Sequence, residues 1–91
     1  MQVRTDLGTA KEARLSETEY RDRLRGLPPS AKLVAKVLED EGALTHAELA
    51  EQSLLPDRTV RYALDRLEGA TLVDSRMNMR DARKQVYSLR R

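Results

Sequence analysis

The stretch 54–67, LLPDRTVRYALDRL, constrains the fold of this 91-residue chain more than any other segment. Because an α-helix advances about 100° per residue, the apolar side chains of this stretch fall within one arc of roughly 100°. These side chains are Val60, Ala63, Leu64 and Leu67. The rest of the helical surface carries Arg58, Thr59, Arg61, Tyr62, Asp65 and Arg66. The pattern predicts a helix that buries one face and leaves an arginine-rich face free to contact a partner.

A shorter helix is predicted just before this stretch, over residues 46–53. Thr45 and Glu48 have the T-x-x-E spacing of a capping box, in which each residue satisfies a backbone amide of the other. The side chains predicted to be buried are Leu49 and Ala50, with Leu54 at the end of the helix.

The turn between these two helices is only three or four residues long. Pro56 closes it, Asp57 is placed to N-cap the second helix, and Gly69 is placed to end that helix. Two helices joined by so short a turn form a helix-turn-helix unit.

Farther upstream, a capping box of Ser16 and Glu19 starts a predicted helix over residues 17–25, which Gly26 ends. Its apolar residues are Tyr20, Leu24 and the post-helical Leu27. Two interpretations stay open: a narrow seam against the main domain or a partner, or a half-formed helix without a role. Residues 1–15 have no sustained apolar period and are predicted to form a flexible arm.

The next helix is predicted over residues 31–41. Pro28 and Pro29 give it a rigid entry. Ser30 is the predicted N-cap, and Gly42 is predicted to end the helix. The stripe predicted to face the core consists of Ala31, Val34, Val37 and Leu38, with Leu33 on its edge.

Beyond the helix-turn-helix unit the apolar period changes to that of strands. Residues 72–76 and 85–89 are predicted to form a β-hairpin, joined by a loop over residues 77–84 that contains three basic side chains. Val86 is predicted to face the core, and residues 43–45 are predicted to add a third strand at the edge of the sheet.

The formal net charge of +2 conceals an uneven distribution. Residues 30–56 carry two basic and five acidic side chains, whereas residues 57–91 carry nine basic and five acidic ones. Almost all of the second group of cations are arginines, whose planar guanidinium suits bidentate contacts with phosphate and guanine. The asymmetry favours a nucleic-acid partner; a solvated, salt-bridged surface is the alternative.

The available side chains exclude several classes of function. The chain has no Cys, which excludes disulfides, thiolate metal sites and cysteine catalysis and agrees with a cytoplasmic location. The one histidine, His46, is expected to be a partly exposed polar residue, and the chain has no Gly-rich phosphate loop or metal-ligand spacing. We therefore expect no enzyme, cofactor or metal site. No apolar run of about 18 residues is present to span a membrane, and residues 1–14 lack the apolar core of a signal peptide.

The order of these elements resembles the winged helix-turn-helix domain of MarR-like (multiple-antibiotic-resistance-regulator) transcription regulators of bacteria and archaea. The stretch ALTHAELAEQSLLPDRTVRYALDRLEGATLVDS resembles the family's small helix, turn, T-V at the second and third helical positions, L-x-x-L and entry into the wing. The sequence DAR at 81–83 followed by VYSL at 86–89 resembles the family's D-x-R wing tip and returning strand. The likeness covers residues 27–89, and the span from LPPSAKLV to TVRYALDRLE is also similar to small archaeal regulators.

The resemblance implies an α+β fold: a winged helix-turn-helix with a three-helix core, a small antiparallel β-sheet and a preceding N-terminal helix. It divides the chain into residues 1–26, a flexible arm and short helix, and residues 27–91, the DNA-binding domain. The expected partner is double-stranded DNA, bound by a homodimer. No small-molecule effector is identifiable from the sequence. The family also implies that Asp81 pairs with a nearby arginine and fixes the loop.

The expected function is sequence-specific DNA binding by a transcription regulator, with residues 57–68 in the major groove. Only the N-terminal half of a recognition helix reaches the groove floor. Arg61 is the first candidate for a bidentate contact with guanine, and Arg58 is the second. Thr59 and Tyr62 are candidates for phosphate or thymine-methyl contacts, and Arg66 for a phosphate contact.

The wing, residues 77–84, is expected to lie on the backbone or in the minor groove. Arg80, Arg83 and Lys84 are its candidate contacts, with Arg83 directed at the minor groove. The helix that begins near His46 offers a further backbone phosphate site. Two alternatives stay open: the helical arginines pair with neighbouring carboxylates, or the domain docks a protein and does not touch DNA.

Overall fold

The computed structural model describes residues 14–81 and 84–91. In chain order the elements are α1 (Glu17–Arg25), α2 (Pro29–Glu41), β1 (Leu44–Thr45), α3 (His46–Ser53), α4 (Asp57–Gly69), β2 (Val73–Met77) and β3 (Gln85–Leu89). The strands form one antiparallel sheet in the order β1-β3-β2. This confirms the predicted α+β winged helix-turn-helix, in which α2, α3 and α4 surround the core and the β2–β3 hairpin with its loop forms the wing. No helix in the described part of the chain is long and apolar enough to cross a membrane.

The apolar face of α4 lies at the centre of the core, as predicted. Its four apolar side chains, Val60, Ala63, Leu64 and Leu67, are fully buried. Helix α4 packs mainly against α2, and also against α3 and β2. Because these four side chains follow the i, i+3, i+4, i+7 spacing of one helical face, burial of that face leaves the arginines outside.

The buried stripe of α2 is shifted slightly from the predicted one. Its buried side chains are Ala31, Val34, Ala35 and Leu38. Ala35 is buried in place of the predicted Val37, which is only partly buried, and Leu33 is exposed. The shift follows from the packing of α2 against α4, α3 and β3 together, which a helical period alone does not specify.

Both predicted capping boxes are present. The Glu19 amide donates to the Ser16 hydroxyl at 3.1 Å, and the Ser16 amide donates to the Glu19 carboxylate at 3.0 Å. In the second box the Glu48 amide donates to the Thr45 hydroxyl at 3.2 Å, and the Thr45 amide donates to the Glu48 carboxylate at 2.8 Å. At the start of each of the helices α1 and α3, two backbone amides that lack a partner within the helix are thus satisfied.

The two other predicted N-caps are wrong. Ser30 lies inside α2, which begins at Pro29 after the N-cap Pro28. Asp57 is the first residue of α4, after the N-cap Pro56. A proline ring holds φ near the helical value, and a missing amide is harmless in the first turn, so proline can start a helix without a side-chain cap.

The prediction that Leu54 is buried is also wrong. Leu54 is the C-cap of α3 in the left-handed conformation, with φ 64° and ψ 18°, and 89% of its surface is exposed. Leu49 is fully buried and Ala50 partly buried, as predicted. The left-handed turn directs Leu54 to solvent, and Leu55 packs against the core in its place.

Replacing Leu54 with glycine is expected to raise the free energy of unfolding by about 0.5–1 kcal/mol. The left-handed conformation is strained for any residue with a Cβ, and this relief exceeds the greater unfolded-state entropy of glycine. Little apolar burial is lost, because the side chain is exposed. Urea denaturation measures the change. Leu54→Ala, which keeps the Cβ, is the matched control and should show no gain; a destabilised glycine variant would contradict the expectation.

The strand β3 turns a different face to the core from the one predicted. Val73 pairs with Leu89 and Ser75 with Tyr87, and side chains alternate along a strand, so Tyr87 and Leu89 point inward with Val73. Tyr87 is buried in the core, whereas Val86 is only half-buried. The prediction that Val86 faces the core is therefore wrong. The predicted edge strand is confirmed as β1, which pairs with β3.

Helix α1 packs on the domain through a seam, the first of the two interpretations left open. Tyr20 is buried, and its hydroxyl donates to a carboxylate oxygen of Glu39 on α2 at 2.6 Å. Leu24 and Leu27 are partly buried against the same core. Burial, together with the hydrogen bond to Glu39, raises the pKa of Tyr20, so the hydroxyl stays a donor.

The residues that flank α1 are tied to the end of β3. The Leu15 amide donates to the Arg90 carbonyl at 2.7 Å, and Leu15 packs against the core. Arg91 donates to Glu17 at 2.8 Å, and its guanidinium lies 5.0 Å from the centre of the Tyr20 ring. Leu15, predicted as part of the arm, is thus attached to the domain, and residues 1–13 of the predicted arm lie outside the described residues.

Candidate nucleic-acid interface

The outer face of α4 presents the predicted basic and polar side chains. Arg58, Arg61, Tyr62 and Arg66 are exposed, and Thr59 is half-buried. Within residues 14–81 and 84–91, the ion pairs lie on α1, on α2 and around residues 90–91, and none involves Arg58 or Arg61. Asp65 and Glu68 of the same helix attract Arg61 only from beyond ion-pair distance, so an anionic partner can compete for both guanidinium groups.

Arg61 is linked to the wing by a chain of hydrogen bonds. Its Nη1 donates to the Tyr87 hydroxyl at 3.5 Å, and that hydroxyl donates to the Gln85 side-chain oxygen at 3.3 Å. The bond to Tyr87 is the main cause that raises the pKa of Arg61. Both bonds are long, so they orient the guanidinium toward the wing without holding it firmly.

Arg66 lies farther along α4 and folds back toward Tyr62. Its Nη1 donates to the Tyr62 hydroxyl at 3.0 Å, and the guanidinium carbon lies 5.9 Å from the centre of the ring. At an exposed site such a contact contributes only about 0.5–1 kcal/mol, so it can open when a phosphate approaches.

The loop of the wing is closed by its own hydrogen bonds. The Asn78 amide donates to the Lys84 carbonyl at 2.9 Å, and the Lys84 amide donates to the Asp81 carbonyl at 2.9 Å. The side chains of Arg80 and Lys84 are exposed on this loop. Arg83, the third predicted wing contact, lies outside the described residues.

A cleft of about 570 Å³ joins the helix-turn-helix to the wing. Its walls are formed by Thr45, His46, Ala47, Arg61, Lys84, Gln85 and Tyr87. It brings together two of the predicted DNA contacts, Arg61 and Lys84, which lie on different elements. The first turn of α3, predicted as a phosphate site, lines the same cleft, and His46 is half-buried there.

Sequence reasoning did not identify Gln85 and Tyr87 as residues of this surface. They alternate on β3, so the two-residue period of a strand places both on one side of the sheet. The two-residue spacing of Gln85 and Tyr87 could have identified them together. The prediction instead pointed Val86 toward the core, which would direct Gln85 and Tyr87 away from α4. The side chain of Tyr87 spans both regions, with its ring in the core and its hydroxyl on Arg61.

No protein-family model and no curated protein matches this sequence, whereas solved structures do. The match with YusO from Bacillus subtilis has 27% sequence identity and a TM-score of 0.66, and it covers 97% of this chain and 65% of the YusO chain. The match with ZitR from Lactococcus lactis, a zinc-responsive MarR family member, has 28% identity and a TM-score of 0.63, and it covers 69% of this chain and 43% of the ZitR chain. The match with AbfR, crystallised bound to DNA, has 24% identity and a TM-score of 0.65, and it covers 94% of this chain and 65% of the AbfR chain.

This chain spans between 43% and 65% of the length of these three proteins. Other structures that match include a MarR family transcription regulator and a probable transcriptional regulator from Pseudomonas aeruginosa, with TM-scores of 0.68 and 0.69. The chain thus has the winged helix-turn-helix fold of MarR-family transcription regulators.

Proposed function

We propose that this chain is a sequence-specific, double-stranded DNA-binding transcription regulator, with α4 in the major groove and the wing on the backbone or minor groove. The observation that carries the proposal is the cleft in which Arg61 of the recognition helix and Lys84 of the wing share one concave surface. Two separate elements thus present cations to one side of the molecule. AbfR, which has the same fold, was crystallised bound to DNA, and this supports DNA as the partner.

In this proposal the outer face of α4 reads the bases. Arg58 and Arg61 are exposed in the first half of the helix, the part that reaches the floor of the major groove. Arg61 contacts guanine through its planar fork, and Arg58 is the second base-reading residue. Thr59 and Tyr62 contact phosphates or thymine methyl groups, and Arg66 leaves Tyr62 to bind a phosphate.

In this proposal the wing supplies contacts that do not depend on the DNA sequence. Arg80 and Lys84 are exposed on the closed loop and are assigned to phosphates. Arg83 is assigned to the minor groove on its position in the sequence alone.

The proposed DNA-binding domain is residues 27–91, and residues 1–26 carry the arm and α1. We propose a homodimer, which places two recognition helices in successive major grooves about 34 Å apart. Within each copy, the buried Tyr20 joins α1 to the domain.

Steep salt dependence of binding to duplex DNA is the expected result that tests this function. With about six phosphate contacts per dimer, log K should fall with log salt at a slope of about −5. Fluorescence anisotropy of a labelled duplex, titrated at several salt concentrations, measures the slope. A flat response would contradict DNA binding through this surface.

Docking of a protein on the acidic residues 39–51 or on α1 is the competing function. A nuclear-magnetic-resonance titration with random duplex DNA separates the two. In the proposed function, the amide signals of residues 58–66 and 80–84 shift while those of residues 39–43 stay in place. No shift in residues 58–66 or 80–84 favours the protein-docking role.

A further inference from the structure

The wing carries two exposed methionines close to its apex. Met77 ends β2 opposite Gln85 and is 63% exposed. Met79 lies in the loop and is 98% exposed, more than any other large apolar side chain of residues 14–81 and 84–91. An unbranched thioether left in water on a loop of the proposed DNA surface is an apolar group available for a contact.

The backbone around Met79 is fixed on both sides. The preceding Asn78 donates its amide to the Lys84 carbonyl at 2.9 Å and accepts the Arg80 amide on its side-chain oxygen at 2.8 Å. This second bond forms an Asx turn that spans Met79. The loop therefore presents Met79 outward from a defined backbone position.

The charges around Met79 indicate what it contacts. Arg80 follows it directly, and Lys84 lies across the closed loop; both are exposed. An apolar tip between cations matches the minor groove of DNA, where two rows of phosphates flank the base steps and an opened step exposes the apolar faces of its bases. Proteins that bind this groove often insert an apolar side chain, methionine included, between two base pairs.

We propose that Met79 is an apolar wedge that enters the minor groove beside the recognition site, between phosphate contacts made by Arg80 and Lys84. The wedge partly unstacks one base step and bends the duplex toward the major groove. Since pyrimidine–purine steps unstack most easily, the site should favour a TA or CA step under the wing, at a position that no polar side chain reads. This inference rests on the proposed function of the chain as a DNA-binding regulator.

The test uses the full chain and a labelled duplex that the wild-type protein selects from a random library. Met79→Ala should weaken binding about tenfold, because the buried thioether surface is lost, and should leave the salt slope unchanged. The bend, measured by energy transfer between dyes at the two ends of the duplex, should fall toward that of free DNA. Met79→Leu, which keeps an apolar wedge, should retain both affinity and bend.

Two control variants separate the wedge from the general effects of a substitution on the wing. Met77→Ala removes the same side chain from the same hairpin and should change affinity less than about twofold, since Met77 lies on β2 and not in the closed loop. Arg80→Ala removes one phosphate contact from each copy of the dimer, so it should reduce the salt slope by about 2 while leaving most of the bend.

The outcomes distinguish the wedge from the function on which it rests. Wild-type binding with a steep salt slope, together with unchanged affinity and bend in Met79→Ala, would overturn the wedge and leave the regulator function standing. Absence of salt-dependent binding by the wild type would overturn both. If Met79→Ala changed the oligomeric state of the protein without DNA, as measured by sedimentation, Met79 would be assigned to a contact between copies. That result would also overturn the wedge.

Discussion

Replacing Leu64 with alanine should lower the free energy of unfolding by ~2–5 kcal/mol. Leu64 is fully buried on α4, the helix that packs against α2, α3 and β2 at once. Truncation removes apolar contacts on all of these sides and leaves a cavity that the surrounding helices fill only in part. The loss is a large share of the ~5–15 kcal/mol that holds a domain folded. Urea denaturation followed by circular dichroism measures it.

Leu33→Ala is the matched control for this prediction. It removes the same atoms from α2, but 40% of the Leu33 surface is already exposed, so the expected loss is below about 1 kcal/mol. If the slope of the unfolding free energy against urea concentration is the same in both variants as in the wild type, the unfolded states are comparable. A loss below about 0.5 kcal/mol in Leu64→Ala would mean that the face of α4 assigned to the core is not the buried one.

Features that depend on residues a few positions apart were predictable from the sequence. Each capping box needs only two residues three positions apart, and both boxes were predicted at the correct residues. The buried face of α4 was predictable for a similar reason, because a single helical period separates its apolar residues from its arginines. Where proline competes with a polar cap, as at Pro56 and Asp57, local rules conflict and proline takes the cap position.

Features that depend on contacts across the fold were not predictable in the same way. The alternation of Val86 and Tyr87 allows either side chain to point inward, and only the pairing of β3 with β2 selects Tyr87. Leu54 has an apolar side chain, so composition predicts burial, but its left-handed backbone turns it outward. In both cases the error lies in the direction of a side chain and not in the presence of the element.

The candidate site contains both local features and features that depend on contacts across the fold. Its cations on α4 were predictable, because helical spacing alone places them opposite the core. The contact between Arg61 and Tyr87 joins residues 26 positions apart and depends on the register of β3 against the helical core. The cleft that unites α4 with the wing is therefore a property of the tertiary fold.

Replacing Arg61 with alanine is expected to weaken binding to the selected duplex by ~1–3 kcal/mol and to relax the preference at one base position. A guanidinium in the first half of a recognition helix makes a bidentate contact that other bases do not satisfy, and alanine leaves the guanine acceptors without a partner. Competition binding with duplexes that differ at single base pairs measures both effects. The base whose preference disappears identifies the contact of Arg61.

Lys84→Ala serves as the control, because Lys84 lines the same cleft but belongs to the wing. It should weaken binding to all duplexes about equally and reduce the salt slope by about 2, because one phosphate contact is lost from each copy of the dimer. Tyr87→Phe adds a third comparison, since it keeps the buried ring and removes only the hydroxyl that orients Arg61. It should reduce discrimination at the base read by Arg61 and leave the salt slope intact. Equal losses on every duplex from Arg61→Ala and Lys84→Ala would assign Arg61 to the backbone, and base reading would then fall to Arg58.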